Sequence, residues 1–244
     1  MTKTIYRLLD RVEEWFRYPQ PTRSQKQLLG MYTDVIDTDF TATRLASEES
    51  ARYVIDNMRT VLNFDTDYDL HEWVTTQVDT KLLTSGLILE FGVATGRTLN
   101  HFARLFKDKT VYGFDSFKGL PEHWTSRMQA GYFSRTNLPS VRKNCELLVG
   151  WFNDTLPTFK EKHKAPICLL HVDSDLYSSA NYILTELAGQ IVSGTVIVFD
   201  EYINYPGWQK DEFKAWQEFV TANNIKYEYI GRVSKHQKVA VRVL

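Results

Sequence analysis

The clearest pattern of apolar and polar positions lies near the middle of the chain. The short apolar run Leu87–Leu89 ends in Glu90, as a buried strand does where it reaches the edge of a sheet. From Arg97 onward, apolar residues recur every three to four positions, which is typical of a helix that packs on a sheet. A second apolar run, Val111–Phe114, ends in Asp115. The pattern therefore predicts a strand, a turn, a helix and a second strand, with an acid at the end of each strand.

The same alternation of apolar runs and helical periods continues to the C-terminus. A helix is expected around Val141–Cys145, before the third strand. Further strands are predicted at Leu147–Val149, Ile167–Leu170, Val196–Phe199, Lys226–Gly231 and Val239–Leu244. The chain as a whole therefore predicts an α/β fold with a seven-stranded sheet and helices on both faces.

The first 80 residues are predicted to be helical. Apolar residues with a helical period begin near Ile5, Leu28, Tyr53 and Leu70. No linker rich in glycine, serine and proline separates them from the rest, so residues 1–80 are interpreted as an N-terminal helical cap on a domain that spans 81–244. Such a cap can complete an acceptor site or form a dimer interface, and the sequence does not choose between these two roles.

The turn after the first strand contains Gly92 and Gly96, which let the backbone turn tightly and approach a ligand. Ala94 stands where a dinucleotide-binding loop has its middle glycine. Glu90 on the preceding strand suits a cationic ligand better than a diphosphate, and Asp115 can accept both hydroxyls of a ribose. The pattern indicates a nucleotide site, although a turn that merely connects strand and helix would look similar.

Two further segments are candidates for contact with a nucleotide. Residues 116–138 form a long aromatic connection, which is interpreted as a lid because such loops in compact domains are usually functional. At the end of the third strand, Trp151 or Phe152 can stack on an adenine, and Asn153 or Asp154 can accept a hydrogen bond from its amino group. An ordinary helix start is the alternative for this second segment.

Four acids follow the fourth and fifth predicted strands: Asp173 and Asp175, then Asp200 and Glu201. The carboxyl ends of parallel strands meet at one sheet edge, so these carboxylates should lie close together and repel each other unless a cation neutralises them. Oxygen ligands of this kind favour Mg²⁺. The alternative is that some of these acids cap helices or face water.

Composition narrows the class of protein. The 244 residues include 29 Lys and Arg against 30 Asp and Glu, a net charge of −1, which argues against a nucleic-acid partner. No apolar run is long enough to span a membrane, and no signal-peptide core is evident. We therefore expect a cytoplasmic location, with neither a membrane partner nor export. Two cysteines are too few for a disulfide framework.

Together, five segments resemble the macrocin O-methyltransferase family, class I enzymes that use S-adenosylmethionine and a metal to methylate sugar hydroxyls of natural products. The segments are EFGVATGRTLN, VYGFDSFKGLPEHW, GWFNDTLP, LLHVDSDLYSS and VIVFDEYINYPGW. The resemblance covers residues 87–244 and implies the Rossmann-like class I methyltransferase fold, the cofactor S-adenosyl-L-methionine, Mg²⁺ and a small hydroxylated acceptor. Whether the chain forms homo-oligomers is left open.

The resemblance also implies roles for particular residues. The implied metal ligands are Asp173, Asp200 and Glu201, the last one methylene longer than the Asp or Asn usual in relatives. The chemistry of methyl transfer then makes Asp173 a candidate base, with His171 and with His236 on a terminal loop as alternatives, although His171 lies before the end of its strand, as a core histidine does. The implied cofactor-binding residues are Glu90, Gly92, Val93, Ala94, Gly96, Thr98, Asp115, Ser116, Phe152, Asn153, Asp154 and Asp173.

Two other functions stay open. A nicotinamide-dependent oxidoreductase of the doubly wound class would be expected to carry a Tyr-x-x-x-Lys or similar pair after a strand, and the sequence has no such pair there. A non-catalytic relative that binds S-adenosylmethionine or a metal as a scaffold would look much the same, although the intact acids and both aromatic loops favour an enzyme.

Overall fold

A computed structural model describes residues 37–244, and the two helices predicted before residue 37 lie outside the described residues. The chain divides into two compact units, residues 1–45 and 46–244. The described helices are α1 (Thr38–Asn57), α2 (Asp67–Gln77), α3 (Thr80–Ser85), α4 (Arg97–Leu105), α5 (Phe152–Lys162), α6 (Tyr177–Leu187) and α7 (Glu212–Ala222), with a 3₁₀ turn at Trp208–Lys210. The described strands are β1 (Asn63–Phe64), β2 (Leu87–Phe91), β3 (Val111–Asp115), β4 (Cys145–Val149), β5 (Ile167–Val172), β6 (Val196–Phe199), β7 (Tyr227–Val233) and β8 (Val239–Val243).

Within residues 37–244, eight strands form one sheet in the order β1-β7-β8-β6-β5-β2-β3-β4. Strands β2 to β6 are parallel to one another, whereas β8 runs antiparallel between β6 and β7. The seven predicted strands are all present. The eighth strand, β1, pairs in parallel with the end of β7 and was not predicted, because two residues are too few to carry a period.

Apolar side chains cover both faces of the sheet. Leu89 and Phe91 pack with α5, α6 and α7, while Ile88 packs with α2 and α4 on the other face. Because side chains alternate along a strand, Glu90 lies on the same face as Ile88. None of the helices in the described part of the chain combines the length and apolar character that a membrane span requires.

Two predicted helices differ from the structure. The fourth helix, expected to run roughly from Leu70 to Leu83, is interrupted at Asp79. The carboxylate of Asp79 accepts hydrogen bonds from the N–H groups of Lys81 and Leu82 and so starts α3. The helix expected around Val141–Cys145 is wrong, since this segment is irregular up to β4. There the Asn144 side-chain amide lies 2.9–3.2 Å from three carbonyl oxygens at the end of α4 and beyond it: those of Ala103, Phe106 and Lys109.

The topology fixes where a ligand can bind. Strand β2 lies between β3 and β5, so the chain order reverses at β2. In open parallel sheets the crevice at such a reversal, beyond the carboxyl ends of the strands, is the usual ligand site. The glycine turn, Asp115 and the two pairs of acids all follow strands that end at this edge.

Candidate active site

The glycine turn is shaped by the loop that follows β5. Gly92 has a φ of +94°, and a Cβ there would lie 1.7 Å from the main-chain carbonyl oxygen of Asp173. Glycine is therefore required by the close approach of two loops, in addition to any approach of a ligand. Gly96 has a φ of +74° and precedes the first residue of α4. Ala94 is also left-handed, with a φ of +43°.

Asp115, the last residue of β3, organises this turn. One carboxylate oxygen accepts hydrogen bonds from the N–H groups of Val93 and Ala94, at 2.9 and 2.8 Å. The other oxygen accepts from the N–H of Phe117 at 2.7 Å. Two carboxylate oxygens can accept about four hydrogen bonds in total, so acceptor capacity is left for a ligand hydroxyl.

A cavity of about 300 Å³ opens beside the turn. It is lined by eight residues that the sequence singled out: Gly92, Ala94, Asp115, Ser116, Phe152, Asp173, Asp200 and Glu201. Trp151, the alternative to Phe152 for stacking on an adenine, also lines it, and so does Asp175, one of the four acids. Leu120, Pro121 and Phe133 line it from the 116–138 segment, which was predicted to contact a nucleotide. Ser179 lines it too and was missed, because nothing in its local pattern distinguishes it from an ordinary helix residue.

Several predicted cofactor residues lie outside this cavity. Val93 is buried, and Gly96 lies beside Pro139. Asn153 and Asp154 are exposed on the first turn of α5. Glu90 is fully buried, with its carboxylate 3.4 Å from the ring of His171.

A second cavity of about 300 Å³ lies on the other side of the acids and shares Asp173 and Asp200 with the first. Thr98, predicted to bind the cofactor, lines this cavity together with Arg97 at the start of α4. His236 lines it too, with its half-exposed ring 3.2 Å from Asp67. The remaining lining residues are Asp65, Thr66, Asp67, Tyr68, His71 and Lys238.

The acids form two groups whose ligand atoms lie within 4.8 Å of one another: Asp173 with Asp175 and Glu201, and Asp173 with His171 and Asp200. The predicted set of Asp173, Asp200 and Glu201 is thus divided between them. In the first group, burial and then the charge of Asp200 raise the pKa of all three carboxyls, that of Asp175 to about 7. Asp175 also has a left-handed φ of +61°.

Asp200 is surrounded by cations of the protein itself. Lys238 donates to one of its oxygens at 2.7 Å, and His171 lies 3.3 Å from the other. Burial by itself would raise the pKa of Asp200, but these two partners outweigh it and hold that pKa below its usual value. Burial likewise opposes the charge on His171, yet its contacts with Asp200 and Glu90 raise its pKa to about 10. The negative charge on Asp200 is therefore already compensated.

The sequence of residues 89–202 matches the model of a family described as a methyltransferase domain. A curated protein, demethyldecarbamoylnovobiocin O-methyltransferase of Streptomyces niveus, is 30% identical over 137 residues, which are 45% of this chain. The match covers 48% of that enzyme, so the chain spans about half the length of this curated relative.

Solved structures show the same fold. A calicheamicin methyltransferase, CalS11, aligns with a TM-score of 0.58 and 20% identity, covering 84% of this chain and 93% of that chain. The apo structure of CalS11, described as a TDP-rhamnose 3'-O-methyltransferase, aligns with a TM-score of 0.52 and 20% identity over 84% of this chain and 95% of the other. At this identity the likeness concerns the fold, which is the Rossmann-like fold of class I methyltransferases, as predicted.

Proposed function

We propose that this chain transfers a methyl group from S-adenosylmethionine to a hydroxyl oxygen of a small, hydroxylated acceptor. The observation that carries the proposal is the first cavity, whose lining includes Asp115 and the glycine turn as well as Asp173, Asp175 and Glu201. A nucleoside-binding acid and a proton-accepting carboxylate thus face the same space. The named relatives are O-methyltransferases, which agrees with this reaction.

In this proposal the first cavity holds the adenosine half of the cofactor. The carboxylate of Asp115 accepts hydrogen bonds from the ribose, and Ser116 and Phe152 lie beside it in the lining. The second cavity suits the amino-acid end, since the side chain of Arg97 and the hydroxyl of Thr98 stand at the start of α4, where a carboxylate is favoured. Glu90 then acts indirectly, through its contact with His171.

A divalent cation fits the first group of acids. Its three members are oxygen ligands, burial and then the charge of Asp200 raise the pKa of each, and within residues 37–244 one buried carboxylate oxygen of Glu201 has no hydrogen-bond partner. We infer that Asp173 and Glu201 hold Mg²⁺ with Asp175 as the third ligand, in place of Asp200. When bound, such an ion makes a neighbouring hydroxyl more acidic.

The chemical step then needs alignment and removal of one proton. The acceptor oxygen attacks the methyl carbon, the bond from that carbon to sulfur breaks, and the hydroxyl proton passes to Asp173, whose pKa burial raises well above its usual value. His236 is a weaker candidate for the base, because it lies near Asp67 and is about half exposed. The products are a methyl ether and S-adenosylhomocysteine.

The acceptor class follows the named relatives and the macrocin-type motifs. We propose a hydroxyl on a natural product or on a sugar of one, such as the TDP-rhamnose of the CalS11 description. The residues before 81 are proposed to form a helical cap on the domain that spans 81–244. The location is proposed to be the cytoplasm, where S-adenosylmethionine is made.

The reaction is tested by incubating the protein with methyl-labelled S-adenosylmethionine and a panel of hydroxylated natural products and nucleotide sugars. Transfer of label to an alkali-stable methyl ether is the expected result. Binding of the cofactor without transfer to any member of the panel or to cell extracts would favour the non-catalytic alternative.

The ligand set is tested by titrating Mn²⁺ into the metal-free protein and recording the electron paramagnetic resonance of the free ion. Asp175→Asn should weaken Mn²⁺ binding by at least about tenfold, since it removes a ligand and a charge, whereas Asp200→Asn should change it only a few-fold. The opposite ranking would restore Asp200 as the ligand. An Mn²⁺ affinity equal to that of the wild-type chain in both variants would exclude both carboxylates as ligands.

A further inference from the structure

The two loops that carry the active-site acids are joined by a fifth carboxylate, that of Glu212. This residue is the first of α7 and is fully buried. One of its oxygens accepts a hydrogen bond from the main-chain N–H of Ser174 at 3.1 Å. The other accepts from the main-chain N–H of Glu201, also at 3.1 Å. Ser174 lies between Asp173 and Asp175, so Glu212 contacts the centre of each acid-bearing loop.

This arrangement costs free energy and therefore calls for a reason. A buried carboxylate beside four other acids is disfavoured by burial and by repulsion. Hydrogen bonds from two main-chain N–H groups and the start of a helix offset that cost in part. Because both oxygens of Glu212 are used by the main chain, its side chain is directed to the loops rather than to the cavity, whose lining does not include it.

Asp211, the preceding residue, serves a different set of partners. Its carboxylate accepts hydrogen bonds from the indole N–H of Trp124 at 3.0 Å and from the hydroxyl of Tyr205 at 3.1 Å. Trp124 belongs to the 116–138 segment, and Tyr205 to the aromatic loop after β6. Both acids contact the loop after β6, since Tyr205 also lies 3.4 Å from the carbonyl oxygen of Glu201. Of the two, only Glu212 also accepts from the loop after β5 among the hydrogen bonds of residues 37–244, so Asp211 is a control for the link between the loops.

We propose that Glu212 is a positioning residue that fixes the spacing of the active-site carboxylates by tying the loop after β5 to the loop after β6. The spacing is the distance from Asp173 and Asp175 on one loop to Glu201 on the other. The inference rests on the proposed function, in which these three carboxylates hold the metal ion. Each acid pair is covalently held within its loop, but their separation depends on contacts between loops. Glu212 supplies the one carboxylate that accepts from both loops among the hydrogen bonds of residues 37–244.

The test compares Glu212→Gln, Glu212→Asp and Asp211→Asn with the wild-type chain. Glutamine keeps the size but has a single acceptor oxygen, so one of the two N–H groups faces an amide nitrogen and loses its partner. Aspartate keeps the charge but is one methylene too short to reach both loops. Three quantities are measured: amide hydrogen exchange of 172–176 and 199–203, Mn²⁺ affinity, and affinity for S-adenosylhomocysteine by calorimetry.

Both Glu212 variants should exchange faster in 172–176 and 199–203 and bind Mn²⁺ at least about tenfold more weakly, since a shifted ligand loses its bond to the ion. Affinity for S-adenosylhomocysteine should stay within about twofold of wild type, because no cofactor contact is removed. Asp211→Asn should leave the Mn²⁺ affinity and the exchange of 172–176 unchanged, because within residues 37–244 its carboxylate accepts from Trp124 and Tyr205 and not from that loop. This combination separates positioning from a general loss of structure, which would speed exchange throughout the chain and weaken both affinities together.

Other outcomes overturn the inference. Unchanged exchange in both Glu212 variants would mean that the carboxylate does not hold the loops. Faster exchange with unaltered Mn²⁺ affinity would mean that Glu212 holds the two loops without setting the spacing of the carboxylates. A wild-type chain that binds S-adenosylhomocysteine but no Mn²⁺ would mean that there is no metal site whose spacing Glu212 sets. Failure of the wild-type chain to bind S-adenosylhomocysteine is a separate result, which would refute the proposed function itself.

Discussion

Asp115 has two tasks, and each predicts a loss when the carboxylate is removed. It holds the glycine turn through the N–H groups of Val93 and Ala94, and it has acceptor capacity left for a ribose. Asp115→Ala should weaken binding of S-adenosylhomocysteine by about 2–3 kcal/mol, the usual cost of losing hydrogen bonds to a charged group. Calorimetry measures this, with Asp154→Ala as the control, since Asp154 is exposed and lies outside the cavity. Equal losses in both variants would contradict the assignment of Asp115.

His71 predicts how stability depends on acid. It is buried, neither ring nitrogen is hydrogen-bonded within residues 37–244, and burial followed by the charge of His171 lowers its pKa to about 2. His101 and Lys238 act in the same direction and Asp200 in the other. The unfolded chain binds a proton at His71 as the pH falls below 6.5, whereas the folded chain stays neutral, so folding stability drops by about 1.4 kcal/mol per pH unit from this group.

Replacing His71 with leucine should therefore flatten the acid side of the stability curve by about one proton. Urea unfolding of His71→Leu and wild type at pH 4, 5, 6 and 7.5 measures the slope. The value at pH 7.5, where the ring is neutral in both states, reports the packing change alone. Parallel slopes between pH 4 and pH 6 would show that His71 takes up a proton in the folded state.

Glu90 illustrates how a small difference at a strand end changes the surroundings of a residue. The sequence indicates a strand that ends near this residue, but β2 continues to Phe91. Inside the strand, Glu90 pairs in register with His171 of β5, and its side chain lies within the sheet face rather than beyond its edge. A difference of one or two residues at a strand end decides between a ligand contact and a buried pair, and apolar runs do not fix ends that closely. Asp115 is the last residue of β3, and the other acids follow the apolar runs of β5 and β6. Their placement at the carboxyl edge of the sheet could therefore be predicted.

At the scale of elements, strands were predicted more reliably than helix boundaries. Buried parallel strands such as β5 and β6 are continuous apolar runs, which are distinctive. Helix α1 begins at Thr38, well before the apolar residues from Tyr53 that suggested it, because its first part is polar and exposed. The break between α2 and α3 depends on hydrogen bonds from a single residue, Asp79, which a hydrophobic pattern does not register.

The 116–138 segment, proposed as the lid, should respond to the cofactor unevenly. Its middle is held by paired main-chain hydrogen bonds between Leu120 and the Gly131–Tyr132 turn, and by the bond from Trp124 to Asp211. Phe133 lines the cavity with its side chain about half exposed, so a bound adenosine would cover it. Amide exchange near Phe133 should slow on addition of S-adenosylhomocysteine, while that of Leu120 changes little. Identical exchange with and without the ligand would remove this segment from the binding site.

For the molecule as a whole, a net charge of −1 conceals a strongly uneven distribution. The sheet brings Asp115, Asp173, Asp175, Asp200 and Glu201 to one edge. Within residues 37–244, Lys238, which lies just before β8, forms an ion pair with Asp200 among these five acids and lies 3.5 Å from Asp67 as well. The sequence predicted that these acids converge, since parallel strands share an edge. It could not predict which carboxylate Lys238 neutralises or that Glu212 joins the two loops. Lys238 and Asp200 are 38 positions apart along the chain, and so are Glu212 and Ser174.

The central claim is that the cavity beside the glycine turn binds S-adenosylmethionine. The most direct test is calorimetric titration of the wild-type chain with S-adenosylmethionine, S-adenosylhomocysteine and NAD⁺ under identical conditions. The account predicts saturable binding of one equivalent of each sulfur compound per chain and no heat from NAD⁺, because Ala94 and the acids leave no site for a pyrophosphate. Binding of NAD⁺ without binding of either sulfur compound would contradict this claim and favour the hypothesis of a nicotinamide-dependent oxidoreductase.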